Sequence, residues 1–293
     1  MRWLCVLALG LSCTCAASAH ADDKSQQKKK LHWDPRRQRV TIPQYIATGV
    51  LGPLAIAEYF VVRPVDPPRW VGGILIDDSV RDALRLRDPR ALRAGWGFAD
   101  MLGTMLVVLN VALDSLVIPL ARGSSDVAWQ LLAMDAQSYT LTSLIAITAY
   151  DTVGRGRPPY EDCANNTGNV PSMECVGTLS ASFPSGHTAL AFNAAGLSCA
   201  HHLYQGVYGN KTADIFACAR DLVLASTEAT LRIMGERHWF SDVFVGSLIG
   251  FGVGFGLPVL AHYTNYKKHV PVSHVYAVPL VGNQTGMAVG AVF

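Results

Sequence analysis

Apolar residues fall into long blocks along this chain, separated by shorter polar stretches. The first runs from Thr41 to Val62, interrupted by Pro53 and carrying Glu58. Gly97–Ala121 and Asp126–Tyr150 follow, both long and apolar with a helical period. Residues 185–205, 212–235 and 239–263 complete a set that predicts six helices. Between the first two blocks, residues 63–97 hold seven arginines (63, 69, 81, 85, 87, 90 and 93) and several prolines. They read as a connection with one short amphipathic helix around Asp78–Arg87. Beyond residue 265 the period changes. His274–Val281 and Met287–Phe293 alternate apolar and small residues around Gly282-Asn283-Gln284-Thr285-Gly286, which predicts a β-hairpin in the tail 266–293. The fold class is therefore all-α, a six-helix body over 41–265 with a short C-terminal β-hairpin.

Two blocks carry polar residues: Asp100, Asn110 and Asp114 in one, Gln130, Asp135 and Gln137 in the other. A carboxylate in a lipid-exposed helix costs at least ~2.5 kcal/mol. Only the last block, with its glycine-rich run Gly246–Gly256, has membrane character throughout. Composition agrees with this middle position. Half of the residues are hydrophobic and 16% are charged, and the mean hydropathy is +0.24. That is apolar for a soluble enzyme and low for a chain made mostly of spans. A net charge of +2 gives no electrostatic footprint for nucleic acid.

The first residues carry a targeting pattern. Arg2 precedes an apolar run from Trp3 to Leu11, and small residues end in Ala19-His20-Ala21 before a polar segment. This predicts an export signal over 1–21, the alternative being a short uncleaved anchor. Residues 22–40 are polar and basic and read as a mobile lead-in. Export leaves Cys163, Cys175, Cys199 and Cys218 in the mature chain. Four cysteines in an oxidising compartment suggest two disulfides with three possible pairings, proximity favouring 163 with 175 and 199 with 218.

Candidate chemistry centres on Ser182-Phe183-Pro184-Ser185-Gly186-His187-Thr188. Ser185 can cap a following Ala- and Leu-rich helix, and Gly186 leaves its backbone open to close approach. Free N–H groups, a hydroxyl and an imidazole then meet at a helix N-terminus, where an anion binds. Upstream lies Tyr150-Asp151-Thr152-Val153-Gly154-Arg155-Gly156-Arg157-Pro158; downstream lies Leu231-Arg232 followed by His238 and Asp242. The spacing of 238 and 242 suits one helical face, on which a carboxylate can orient an imidazole. Two histidines, an oriented carboxylate and at least two arginines meet the needs of phosphoryl transfer without a metal.

This ordered set resembles the superfamily of type-2 phosphatidic acid phosphatases, bacterial acid phosphatases and vanadium haloperoxidases. That pattern is Lys-x6-Arg-Pro, then Pro-Ser-Gly-His, then Ser-Arg-x5-His-x3-Asp. Arg157-Pro158, Pro184–His187 and Arg232-x5-His238-x3-Asp242 match it over a core of about 98–263. The resemblance implies that His238 is the nucleophile, that Asp242 orients it and that His187 is the general acid. It implies that Arg157, Arg232, Ser185 and the Gly186 N–H hold the phosphate, with no cofactor and no metal. Two positions depart: Tyr150 stands at the lysine place and Leu231 at the serine place. Arg155 or Arg237 are the candidates to replace the lysine, and Tyr150 argues against the haloperoxidase branch.

The expected activity is a phosphoric monoester hydrolase working through a phosphohistidine, on soluble or lipid phosphates. The alternatives are a membrane lipid-pyrophosphate phosphatase, or an envelope protein that binds phosphate with weakened catalysis. With a cleaved signal, three spans before the site would place it in the cytoplasm. Together with the intrahelical carboxylates, this favours a periplasmic helical body, soluble or peripheral. An integral inner-membrane protein with its site facing the periplasm is the alternative.

Overall fold

The computed structural model describes residues 30–61, 65–165, 175, 179–264, 274–280 and 286–292. The fold is mostly helical, and among the described residues there are eight helices. They are α1 (Ile42–Val61), α2 (Asp77–Leu84), α3 (Pro89–Ala121), α4 (Ser125–Val153), α5 (Tyr160–Ala164), α6 (Gly186–Ala200, prolonged by the π-helical turn His201–Gln205), α7 (Lys211–Met234) and α8 (Phe240–Tyr263). The count exceeds the predicted six because α2 and α5 are short helices within connections; the six long helices lie on the six apolar blocks. Helix α3 starts at Pro89, earlier than the apolar block. The Asp88 side chain accepts the Ala91 N–H, and Pro89 takes the first helical position, where a missing N–H costs nothing. Strands His274–Leu280 and Gly286–Val292 pair antiparallel with Tyr276 opposite Gly290; the predicted turn residues 281–285 lie outside the described residues. So does the predicted signal, 1–21.

Helices α6 and α8 form the central pair. A Cβ at Gly246, Gly250 or Gly254 would collide with the carbonyl oxygens of Ser185, Ala189 and Asn193. Only glycine at this four-residue spacing lets the two backbones touch. The contact begins at Ser185, so it fixes the N-terminus of α6 against the first turns of α8. Helix α7 is tied to α6 by the Cys199–Cys218 disulfide, and Cys163–Cys175 closes the second bond. Of the three possible pairings, the structure holds the one favoured by proximity.

The lead-in differs from the expectation of mobility in its second half. Leu31, Trp33 and Val40 are buried with Val127, Leu131, Met134 and Tyr263, and Gln130 Oε1 accepts the Val40 N–H at 2.9 Å. Burying two large apolar side chains and pairing the backbone outweighs the polar composition around them. Residues 22–29 lie outside the described set.

Four of the six polar residues named within α3 and α4 turn inward, while Asp100 stays exposed. Asn110, Asp114, Gln130 and Asp135 are buried. Tyr139 donates to Asn110, Tyr208 donates to Asp114, and His201 pairs with Asp135 at 2.9 Å. This network lies where α3, α6 and α8 each pass through a π-helical segment, Leu109–Val117, His201–Gln205 and Val259–Tyr263. The outward faces are apolar: Ile42, Phe60 and Val61 of α1, Met101 of α3, Phe216 of α7 and Leu248 and Leu260 of α8 all stand exposed. Asp114 and Asp135 therefore do not oppose lipid contact, contrary to their reading from sequence, because they face inward; Asp100 is exposed and pairs with Arg232. Helices α3 and α8 are long and apolar enough to cross a membrane, and an apolar outer surface of this extent marks membrane association.

Candidate active site

The three sequence clusters meet at the end of the bundle where α4 and α7 finish and α6 and α8 begin. Helix α4 stops on Gly154, whose left-handed φ of 61° turns the chain out of the helix. Arg69 N donates to Gly154 O, and Gly156 N donates to Trp70 O. This strap of residues 69–70 aims Arg155 and Arg157 in different directions.

His238 is buried and lies just before α8. Its Nδ1 is 2.7 Å from the Ser182 carbonyl oxygen. A carbonyl can only accept, so Nδ1 carries the proton and Nε2 keeps its lone pair. Burial first, and then the Arg157 guanidinium, hold this imidazole well below the ordinary histidine range. It stays neutral at neutral pH, the state that a nucleophile requires.

Asp242 plays a different part from the one its spacing suggests. The helix begins only at Phe240, so 238 and 242 do not share a helical face. As the third residue of α8, Asp242 accepts the Trp239 N–H at 2.9 Å, which caps the helix. Its Oδ2 also takes the Ser182 hydroxyl at 2.6 Å, and its Oδ1 takes Arg155 Nη1 at 2.5 Å. Asp242 thus reaches His238 through Ser182: carboxylate to hydroxyl, then that residue's carbonyl to imidazole.

Arg155 does not replace the missing lysine. It is wholly buried, and its Nη2 donates to Asp77 at 2.8 Å. Its guanidinium stacks over Trp70 at 4.0 Å and near Trp239 at 5.4 Å. Asp77 also receives Ser241 through both its N–H and its hydroxyl. A buried guanidinium between two carboxylates is a floor beneath the site, and every member has charged partners. Arg237, the other replacement considered, lies with its guanidinium 3.8 Å over the Trp96 ring.

Arg157 has the opposite character. Its Nε is buried with no protein partner. Burial and the nearby Arg237 pull its guanidinium down to about 10, so it remains charged at neutral pH. Among the described residues no carboxylate pairs with it, and a half-buried cation in that state is a place for an anion from outside. Arg232 is held by Glu228 through Nε and by Asp100 at 2.7 Å. His187 is exposed on the first turn of α6, where it lines a groove of about 440 Å³ between α3 and α6. Asp100, Thr104, Val107, Val108 and Leu190 line it.

Two predicted phosphate contacts are already engaged. Ser185 is buried and its oxygen caps α6 by accepting the Thr188 N–H. The Gly186 N–H donates to the Tyr150 hydroxyl at 2.5 Å. The side chains that sequence reasoning missed are Ser182, Asp77, Asp100 and Glu228, together with the inward role of Arg155. An acidic residue three positions after Trp239 is a helix-start signal that could have revealed the true start of α8.

Residues 128–266 match the family model of the PAP2 superfamily. That match contains all three clusters. A lipid A 1-phosphatase of Porphyromonas gingivalis is 40% identical over 78 residues, which cover 27% of this chain and 16% of that relative. The chain thus aligns with only a small part of that relative's length. Among solved structures, a transmembrane PAP2-type phosphatidylglycerolphosphate phosphatase of Bacillus subtilis aligns with a TM-score of 0.48 and 14% identity, covering 78% of this chain and 98% of that one. The PAP2 match agrees with the resemblance read from the motifs, and Tyr150 and Leu231 remain the departures from the pattern.

Proposed function

We propose that this protein is a metal-independent PAP2 phosphatase that removes phosphate from a lipid phosphomonoester at a membrane. The observation that carries the reading is Arg157, whose Nε is buried with no hydrogen-bond partner and whose guanidinium acts on both His187 and His238, with His187 lining a groove that has an apolar wall. In this reading Arg157 and Arg232 grip the phosphoryl oxygens. His238 Nε2 attacks phosphorus, a nitrogen–phosphorus bond forms and the ester phosphorus–oxygen bond breaks. His187, which lines the groove, gives its proton to the departing alkoxide. Water then attacks the phosphohistidine, returns a proton to His187 and releases inorganic phosphate. Asp242 positions His238 through Ser182. The hydrocarbon of the substrate extends along the α3–α6 groove, toward the apolar outer surface of the bundle.

Two disulfides support an oxidising compartment and hence a site facing the periplasm. The soluble alternative is disfavoured by the exposed apolar faces of α1, α7 and α8. A second reading, phosphate binding with little turnover, is favoured by Tyr150, whose hydroxyl holds the Gly186 N–H.

The test is phosphate release by the full chain in detergent, with chelator present. Phosphatidate, lipid A-type phosphates, lipid diphosphates and soluble esters form the panel. Release from lipid monoesters that disappears in His238→Ala, together with a trapped phosphoenzyme, is the expected result. Undiminished release by His238→Ala overturns the nucleophile. Binding of phosphate without release from any substrate favours the second reading.

A further inference from the structure

Tyr150 lies at the place where the family pattern has a cation. Its hydroxyl oxygen accepts the Gly186 N–H, so its own hydrogen is free to be donated. Glycine at 186 is required for this approach, since a Cβ there would overlap the phenol oxygen. That bond sets the phenol oxygen against the backbone between Ser185 and His187, within electrostatic reach of Arg157, Asp242 and Arg232. We infer, on the basis of the phosphatase reading, that Tyr150 is a neutral phosphate ligand that makes the site prefer phosphoryl groups carrying one negative charge over those carrying two.

The charges around the phenol support this. Arg157 enters from the loop after α4, Arg232 from α7 and Arg237 from the loop before α8, while Arg155 lies in the floor. Against them stand Glu228 of α7, Asp100 of α3, Asp242 of α8 and Asp77 of α2. This set holds four guanidiniums and four carboxylates, of which Arg157, Asp242 and Arg232 act on the phenol directly. The imidazoles of His187 and His238 complete the titratable set, both held below the ordinary histidine range. A lysine at 150 would add one positive charge to this balance; a phenol adds a hydrogen bond and no charge. A monoanion then leaves one negative charge to be stabilised by donors. A dianion leaves two in a poorly hydrated site, where unmatched charge is costly. Phosphate esters lose their second proton near pH ~6, so the preference falls in an accessible range.

The probe is inorganic phosphate, titrated calorimetrically into the full chain in detergent at pH 5.5 and at pH 8. Wild-type affinity should fall about tenfold between the two, the size expected for one charge-assisted hydrogen bond's worth of mismatch. Tyr150→Phe should bind about tenfold more weakly at both pH values and keep the same slope, because it loses the donor and leaves the charge balance unchanged. Tyr150→Lys should lose the slope or reverse it. Partial burial and Arg232 pull His187 down to about 4, below the window compared. Equal wild-type affinity at both pH values overturns the inference, as does Tyr150→Phe binding as tightly as wild type. Should Tyr150→Lys fail to fold, the wild-type profile and Tyr150→Phe still decide. Absence of phosphate binding at either pH, with no release from any ester, would sink the phosphatase reading itself; binding and release without pH discrimination removes only the role of Tyr150.

Discussion

The Arg155 guanidinium donates to the Asp242 carboxylate at 2.5 Å, and both side chains are fully buried. The pair lies beneath the nucleophile and does not touch it. Its influence travels through the Ser182 hydroxyl and carbonyl to His238 Nδ1. Removing the carboxylate in Asp242→Asn leaves Arg155 with Asp77 alone and weakens the cap on Trp239. Breaking one side of a buried ion pair costs about 3–5 kcal/mol. A large drop in thermal stability is therefore expected, together with a loss of phosphoenzyme formation rate under conditions in which the protein is still folded. A melting temperature close to wild type would contradict the buried-pair account.

The acid limb of activity should lie well below pH 6.5. Burial and Arg157 hold the His238 imidazole low, so the neutral nucleophile survives acidification until the pH falls through that depressed value. Replacing Arg157 by Gln removes one repelling cation and should move the limb upward, apart from any rise in KM. The profile of kcat/KM against pH for the two proteins measures this. A limb that stays in place or moves down in Arg157→Gln would show that the guanidinium does not act on His238.

Glycine substitutions in α8 should divide by face. Gly250→Ala drives a methyl into the Ala189 carbonyl, whereas Gly252 has nothing within 4 Å of an added Cβ. Overpacking typically costs 1–3 kcal/mol, and backbone contact places Gly250→Ala at or above the top of that range. Gly252→Ala should be neutral or slightly stabilising, because Ala is the better helix former by about 1 kcal/mol. Thermal unfolding of the two variants in the same detergent distinguishes them.

Removing the Cys199–Cys218 link with a double serine variant should cost about 3 kcal/mol, the loop-closure value for a separation of this length. The bond joins α6 to α7 away from His187 and His238, so kcat at low temperature should be nearly unchanged while the melting point falls. A fall in kcat at temperatures where the variant is folded would mean that the α6–α7 tie also governs the site.

Much of this was legible in the chain. Apolar blocks gave the six long helices, and motif spacing brought Arg157, His187, Arg232 and His238 to one end of the bundle. Hidden were the relations between residues far apart in sequence. Asp77 meets Arg155 across 78 positions and Asp100 meets Arg232 across 132, and no local period encodes either pair. The spacing of His238 and Asp242 misled because a four-residue interval was read as helix, while the helix starts two residues after His238. Polar residues in α3 and α4 misled for a related reason: composition does not tell which way a side chain faces. Tyr150 was visible as a departure, but its hydroxyl meeting the Gly186 N–H depends on how α4 and α6 cross.

The glycines of α8 leave one notch in which α6 can rest. Sliding either helix by a residue would set a side chain onto a carbonyl. His187 rides on the first turn of α6, and His238 directly precedes α8. The vertical offset between the two imidazoles is thus locked by backbone contact when the chain folds, and a substrate arriving at this site meets a gauge already set.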